Sequence, residues 1–167
     1  AGSDPGPACY DKGGRDVTVT DADLVLGYLE PDNYAGGQIA LSEKRATSMF
    51  TRNIGKPLDI DAEAAAKLVK QKVDNDMANG IAQELRARGY EPANFTLLAY
   101  GGNGALHACG IADAIGIKKV LVPPFSAIFS AVGAGNMDQL HIHERSVYLQ
   151  IYDSVTRELL SDFDGFN

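Results

Sequence analysis

A glycine-rich turn between an apolar run and a helical segment is the feature of this chain best suited to ligand binding. The run FTLLAY ends at Tyr100, and Gly101, Gly102, Asn103 and Gly104 follow directly. Glycines let the backbone approach a ligand closely, and the start of a helix offers free N–H groups to an anion. The turn lacks the GxGxxG spacing of dinucleotide folds and the GK[ST] of a P-loop. A nucleotide contact and a plain strand-to-helix connection both stay open.

The three histidines and several acids are the other candidates for chemistry. His107 lies in the first turn of the predicted helix, where a lone histidine more often packs or hydrogen-bonds than catalyses. His141 and His143 share a face of a predicted strand, and they could hold a metal only with a third ligand from elsewhere. The acids beside glycine-rich turns are Asp4, Asp21 and Asp23. Each could bind a metal or orient a base, although Asp at a turn or N-cap is the commoner case.

The elements around the glycine turn predict a βαβ unit. Residues 95–100 form an apolar run of strand length, residues 105–115 a helix ending at Gly116, and residues 119–122 a second apolar strand. Two prolines follow and end that strand. A strand, a helix and a strand within about thirty residues predict an α/β fold with a parallel sheet.

The longest predicted helix covers residues 61–88. Asp61 offers an N-cap oxygen, and Gly89 can end the helix in the left-handed conformation. Apolar residues recur every four positions and predict the buried stripe. The stripe consists of Val69, Val73, Met77, Ile81 and Leu85.

Shorter elements are predicted on either side of this central part. Residues 1–16 form an ordered loop, residues 17–20 a strand, and residues 22–29 a helix capped by Thr20 or Asp21. Ser42 caps a helix that runs to about residue 53 and ends at Gly55. Beyond the βαβ unit we predict a loop that turns helical over 125–135, a strand over 140–151 and a helix over 154–162.

Composition limits the class of protein. The 167 residues are 45% apolar and 22% charged, with a net charge of −7, so one globular domain is expected and a nucleic-acid binder is disfavoured. No apolar stretch approaches the roughly 20 residues that span a bilayer. Cys9 and Cys109 form no CxxC pair, which favours a reducing, cytoplasmic location. The chain opens inside a Gly- and Pro-rich loop, so we expect a piece of a larger protein or complex. We predict a single partial domain with segments 1–60, 61–135 and 136–167.

Three blocks together resemble a known family. They are DPGPACY at residues 4–10, TDA at 20–22 and GGNGALHA at 101–108. In order and spacing they are similar to the middle of hydantoinase-A, oxoprolinase and acetone-carboxylase chains, and the resemblance covers about residues 1–150. That family's fold is similar to the actin-like, sugar-kinase-like and Hsp70 ATPase fold, with ATP in a cleft between two α/β lobes.

The resemblance also implies a site. Gly101, Gly102, Asn103 and Gly104 would form the adenosine-side loop of an ATP site, and His107 joins them in the predicted cofactor-binding set. Phosphates and a Mg²⁺ or Mn²⁺ ion would be held mainly by partner segments. The chain is therefore expected to act only within a multi-subunit complex, with larger subunits of the same enzyme.

Three functions follow from the resemblance. The stretches GYLEPDNYAGG and FSAVGAG, the latter beginning at Phe129, look more like acetone and acetophenone carboxylases, ATP-dependent ligases that use a small carbonyl substrate and bicarbonate. The first alternative is an ATP-dependent hydantoinase or oxoprolinase that hydrolyses a cyclic amide. The second is a non-catalytic assembly subunit, because Asn103 departs from the Gly or Ala that the family often has there.

Overall fold

A computed structural model of the chain describes residues 2–138, 142, 144, 152–153, 155 and 157–159. The chain forms two compact units, Ala1–Gly135 and Asn136–Asn167. The helices are α1 (Val19–Val25), α2 (Glu43–Phe50), α3 (Lys56–Leu58), α4 (Ala62–Ala87), α5 (Gly104–Ile115) and α6 (Phe129–Gly135). The strands are β1 (Thr96–Leu98), β2 (Lys119–Leu121), β3 (Tyr152–Asp153) and β4 (Glu158–Leu159). The three predicted segments of a partial domain stay a prediction.

Helix α1 begins earlier than its sequence pattern suggested. Thr18 is the N-cap: its Oγ1 accepts a hydrogen bond from the N–H of Asp21, whose carboxylate accepts one from the N–H of Thr18. This reciprocal capping box satisfies two backbone donors and starts the helix at Val19. The predicted strand over 17–20 was therefore wrong, because local capping overrides the β-branched pattern. The helix predicted over 22–29 exists, but it begins at Val19, is capped by Thr18 and ends at Val25.

Helix α2 has the predicted cap but continues differently at its end. Ser42 Oγ accepts from the N–H of Arg45, as an N-cap should. After Phe50 the chain widens into a π-helical turn, Thr51–Gly55, and continues into α3. Gly55 does not end the helix. A Cβ there would lie 2.8 Å from the carbonyl oxygen of Ile60, so the position requires glycine for close packing.

Helix α4 has the predicted length but buries a different face. Asp61 caps it by accepting from the N–H of Ala64 at 2.7 Å. The buried residues are Ala65, Ala66, Lys70, Asp74, Ala78 and Ala82. The predicted stripe from Val69 to Leu85 is only half-buried, beside that face. Small residues at the centre let neighbouring helices approach closely: a Cβ at Gly110 of α5 would lie 2.1 Å from an Asp74 oxygen.

The βαβ unit is confirmed. Strands β1 and β2 pair in parallel with Thr96 opposite Lys119 and Leu98 opposite Leu121, and α5 connects them. Gly116 caps α5 in the left-handed conformation at φ 76°. Apolar runs of this kind predict buried strands, but among the described residues Leu98 is 42% and Leu121 55% exposed. A parallel sheet is normally covered on both faces, so the exposure of these two strands departs from the usual pattern.

The core of the first unit lies around α1, α2 and α4. One cluster joins Cys9, Leu24, Leu41 and Ala46. The other joins Ala22, Phe50, Ala65 and Ala66. The prediction of a loop followed by a helix over 125–135 is confirmed by α6.

In the second unit, β3 and β4 pair antiparallel, with Tyr152 opposite Leu159. The helix predicted over 154–162 was wrong where the chain is described, because residues 158–159 form β4. Of the strand predicted over 140–151 only Ile142 and Glu144 are described, and neither lies in a strand. His141 and His143 lie outside the described residues.

Candidate functional site

The glycine loop (residues 101–104) connects β1 to α5. Gly101 adopts the left-handed conformation at φ 87°, and its N–H donates to the carbonyl oxygen of Ser126 at 2.7 Å. A Cβ at Gly101 or Gly102 would meet nothing within 4 Å. Asn103 is the N-cap of α5 but makes no side-chain cap hydrogen bond. Packing among the described residues therefore does not explain Gly102, and the loop leaves room for the approach of a ligand.

An apolar cavity of about 200 Å³ adjoins the glycine loop. Its walls include Leu98, Tyr100, Gly104 and Ile111. The ring of Tyr100 also contacts that of Phe129, with 5.6 Å between centroids. The loop thus combines free backbone on one side with an apolar recess on the other, the mixture that small-molecule sites commonly show.

His107 lies between three helices. Its Nδ1 donates to Asp74 Oδ1 of α4 at 2.7 Å, and its Nε2 is 3.9 Å from Asp23 Oδ2 of α1. Only 11% of its side chain is exposed. The structure therefore brings Gly101, Gly102, Asn103 and Gly104 into one loop and places His107 in the packing of the helix behind it.

Lys70 completes the surroundings of His107. Its Nζ donates to Asp74 Oδ2 at 3.1 Å and to the carbonyl oxygen of Leu106 at 2.9 Å, and it lies 5.0 Å from the centroid of the Tyr28 ring. Buried charges persist when they are paired and hydrogen-bonded, and Lys70 is both. We name Asp23, Lys70, Asp74 and His107 the buried polar cluster.

Asp23 is the incompletely paired member of the cluster. Burial raises its pKa above the ordinary 3.8, and the interactions with His107 and Lys70 only partly offset that effect. Its Oδ1 has no hydrogen-bond partner among the described residues. Sequence reasoning missed Lys70 and Asp74. The available signal was a Lys–Asp pair at i, i+4 within an otherwise alanine-rich helix face.

Asp21 holds a second glycine-rich segment, the proline loop (residues 4–14). Its carboxylate accepts hydrogen bonds from the N–H groups of Ala8 and Cys9 and from both the N–H and the hydroxyl of Thr18. These donors occupy both carboxylate oxygens, so Asp21 serves as a structural anchor. Asp4 lies exposed at the start of this loop.

Cys9 is the buried thiol of the same loop. Burial, together with a hydrogen bond to Asp21, raises its pKa to about 12. The thiol therefore stays protonated at neutral pH, and a protonated thiol is a poor nucleophile.

Among the described residues, no three His, Cys, Asp or Glu side chains are grouped so that they could hold a metal ion. None of the helices in the described ranges combines the length and apolar character that a membrane span requires.

Comparison with known proteins identifies the relatives of this arrangement. The family model for hydantoinase/oxoprolinase matches residues 1–143. The chain belongs to the hydantoinase/oxoprolinase family. The predicted resemblance is thereby confirmed, and so is the α/β fold class, since solved family structures share the fold.

Two relatives are each 41% identical in sequence to this chain over the aligned residues. One is the acetophenone carboxylase gamma subunit of Aromatoleum aromaticum, aligned over 167 residues, which are 100% of this chain and 22% of that protein. The other is the caprolactamase subunit alpha of Pseudomonas jessenii, aligned over 133 residues, 80% of this chain and 19% of that protein. The chain thus spans about a fifth of the length of these relatives.

Two solved enzyme structures share the fold of this chain. A nucleotide-free acetone carboxylase matches with a TM-score of 0.70 and 36% identity, over 76% of this chain and 18% of that chain. The ATP-dependent caprolactamase of Pseudomonas jessenii matches with a TM-score of 0.73 and 41% identity, over 80% of this chain and 19% of that one.

Proposed function

We propose that the chain contributes the adenosine side of the ATP site of an ATP-dependent ketone carboxylase, together with larger subunits of the same enzyme. The observation that carries this proposal is the 41% identity to an acetophenone carboxylase gamma subunit along the whole chain. The acetone carboxylase that this chain resembles carboxylates acetone in an ATP-dependent reaction. The site that fits this role is the glycine loop.

The glycine loop suits a nucleoside. Gly101 and Gly102 leave open space where any side chain would project, so a ribose or base can approach the backbone. The apolar cavity beside Leu98 and Tyr100 offers a surface for a planar base. The first turn of α5 presents N–H groups whose dipole favours an anion.

His107 is proposed as a positioning residue for this loop. Its hydrogen bond to Asp74 joins α5 to α4, while Lys70 holds the carbonyl of Leu106 in the first turn of α5. Together they fix the helix whose N-terminus follows the loop. A site held within about 0.5 Å needs such support from behind.

The remaining chemistry belongs to other segments. ATP would supply a phosphoryl group that activates a poorly reactive oxygen of bicarbonate or of the small carbonyl substrate, and catalysis of that step rests on positioning and charge neutralisation. We propose that other parts of the enzyme hold the phosphates and Mg²⁺ or Mn²⁺. A cytoplasmic location stays a prediction.

Gly102→Val in the complete enzyme tests the nucleotide assignment. Gly102 does not need a left-handed backbone, and its Cβ direction is open, so the variant should fold. The added side chain would occupy the space in which we propose that the nucleoside binds. We therefore expect ATP binding, measured by equilibrium dialysis, to be abolished.

Gly80→Val is the matched control, since Gly80 of α4 also has nothing within 4 Å of its Cβ position. It should bind ATP as the wild type does. Unchanged ATP affinity in Gly102→Val would refute the assignment of the loop. Absence of ATP binding in the wild-type enzyme would instead favour the assembly role.

Cyclic-amide hydrolysis is the second candidate function. It is favoured by the caprolactamase, which is as similar in sequence as the carboxylase subunit where it aligns. The two functions differ in their need for bicarbonate. ATP hydrolysis that requires bicarbonate and a ketone supports the carboxylase, whereas hydrolysis with a lactam alone supports the amidase.

A further inference from the structure

A second pocket lies away from the glycine loop, between the end of the proline loop and the segment that follows α2. It has a volume of about 550 Å³. Its lining residues are Gly14, Arg15, Asp16, Arg45, Met49, Arg52 and Asn53. None of them belongs to the glycine loop, to α5 or to the buried polar cluster. We call it the arginine pocket.

The charges of the arginine pocket are unusual for this chain, whose net charge is −7. Arg15, Arg45 and Arg52 converge on it, and of the described lining residues Asp16 alone is acidic. Arg45 pairs with Asp11 at 3.2 Å. Within the described part of the chain, neither Arg15 nor Arg52 forms an ion pair, so two guanidinium groups keep their donors for another partner.

The backbone around the pocket is fixed by packing. One wall of the pocket contains Gly14, Arg15 and Asp16, and the other contains Arg52 and Asn53. Asn53 Nδ2 donates to the carbonyl oxygen of Arg15 at 2.8 Å and so joins the two walls. Gly14, the last residue of the proline loop, packs against an earlier part of that loop, with its Cβ position 2.5 Å from the carbonyl oxygen of Gly6. Both walls are therefore held at a defined separation.

The second wall is a π-helical turn. The turn Thr51–Gly55 carries Arg52 and Asn53, which both line the pocket. Single π-helical turns are rare and occur frequently at functional sites. This turn is an observation independent of the charges, and it points to the same pocket.

We propose that the arginine pocket binds a small oxyanion, a phosphate or bicarbonate group. Planar guanidinium groups donate parallel hydrogen bonds that match the oxygens of such anions, and several of them together neutralise a dianion. The pocket would hold the oxyanion between the proline loop and the π-helical turn, with Arg15 and Arg52 as the principal donors. This inference does not rest on the nucleotide proposal.

Phosphate binding to the complete enzyme tests the proposal. Radiolabelled inorganic phosphate is dialysed to equilibrium against the wild type and against the double variant Arg15→Gln, Arg52→Gln. Both side chains are exposed and free of ion pairs among the described residues, so the variant should fold. Hydrogen bonds to charged groups are strong enough that losing two guanidinium groups should weaken binding about tenfold or more.

Arg88→Gln is the control, because Arg88 is an exposed arginine paired with Glu84 at the end of α4. It should bind phosphate as the wild type does. Equal phosphate affinity in wild type and double variant would overturn the proposal, and so would a wild type that binds neither phosphate nor bicarbonate.

Competition then identifies the source of the oxyanion. Displacement of labelled phosphate by ATP in the wild-type enzyme would identify the phosphate end of a nucleotide, whereas displacement by bicarbonate alone would identify a free oxyanion. Either result supports the pocket. Because the readout is phosphate rather than nucleoside binding, failure of the glycine-loop assignment would leave this result intact.

Discussion

The proline loop (residues 4–14) closes on the carboxylate of Asp21, whereas the glycine loop (residues 101–104) leaves Gly102 facing open space. In the first loop glycine is required by the protein itself, because Gly14 lies against backbone atoms. In the second, packing among the described residues does not require Gly102. Glycine thus serves close packing in one region and leaves access for a ligand in the other.

Helix α1 contributes to both regions through two buried acids. Asp21 accepts four hydrogen bonds and anchors the proline loop. Asp23, two residues later, approaches His107 of α5 and keeps one oxygen unpaired. One region is saturated with hydrogen bonds, and the other retains an unsatisfied charge behind the proposed nucleotide loop.

The largest effect is expected from Asp21→Ala. The substitution leaves the N–H groups of Ala8, Cys9 and Thr18 without their acceptor. Each buried unpaired donor costs roughly 1–3 kcal/mol, so the free energy of unfolding should fall by about 3 kcal/mol or more. Urea unfolding of the complete protein, followed by limited proteolysis of the proline loop, measures this.

Asp113→Asn is the control for that experiment, since Asp113 is an exposed acid of α5. It should change stability by less than about 0.5 kcal/mol. If Asp21→Ala unfolds at the same urea concentration as this control, Asp21 is not the anchor of the proline loop.

Paired glycine substitutions test the contrast between the loops directly. Gly14→Ala brings a Cβ to 2.5 Å from the carbonyl oxygen of Gly6 and should cost about 1–3 kcal/mol by overpacking. Gly102→Ala meets nothing within 4 Å and should leave stability unchanged or raise it by about 0.4–1 kcal/mol. Thermal unfolding measures the stability of both variants. Equal losses of stability in the two would contradict the proposed contrast between the loops.

Local signals in the sequence predicted much of this fold. The caps Ser42 and Asp61 and the stop at Gly116 act on neighbouring backbone, so their patterns can be read without the rest of the structure. The βαβ unit was predicted because its apolar runs and glycine turn follow one another at short range. The family was predicted from three motifs together.

Features that depend on distant partners were missed. The buried face of α4 is centred on alanines, Lys70 and Asp74 because α1 and α5 approach there, and hydrophobic periodicity favours the larger side chains alongside. The strand character of residues 17–20 was overridden by the capping box of Thr18 and Asp21. His107 was placed in the predicted site by its nearness in sequence, and its contacts with Asp74 and Asp23 come from tertiary packing.

The smallest expected effect comes from Asp23→Asn, which tests whether the region behind the glycine loop carries an unsatisfied charge. Burial raises the pKa of Asp23 in the folded state above the ordinary 3.8, so the folded protein binds this proton more tightly than the unfolded chain. The wild type should therefore lose stability as the pH rises from 3.8 through the folded pKa. Asparagine cannot ionise and avoids that loss.

Urea unfolding of wild type and Asp23→Asn across this pH range measures the difference. The variant should match the wild type below pH 3.8 and become the more stable protein as the pH rises. A wild-type advantage that grows with pH would mean that His107 and Lys70 compensate the charge of Asp23 fully. The region behind the glycine loop would then be as well satisfied as the proline loop, and the contrast between them would rest on the glycines alone.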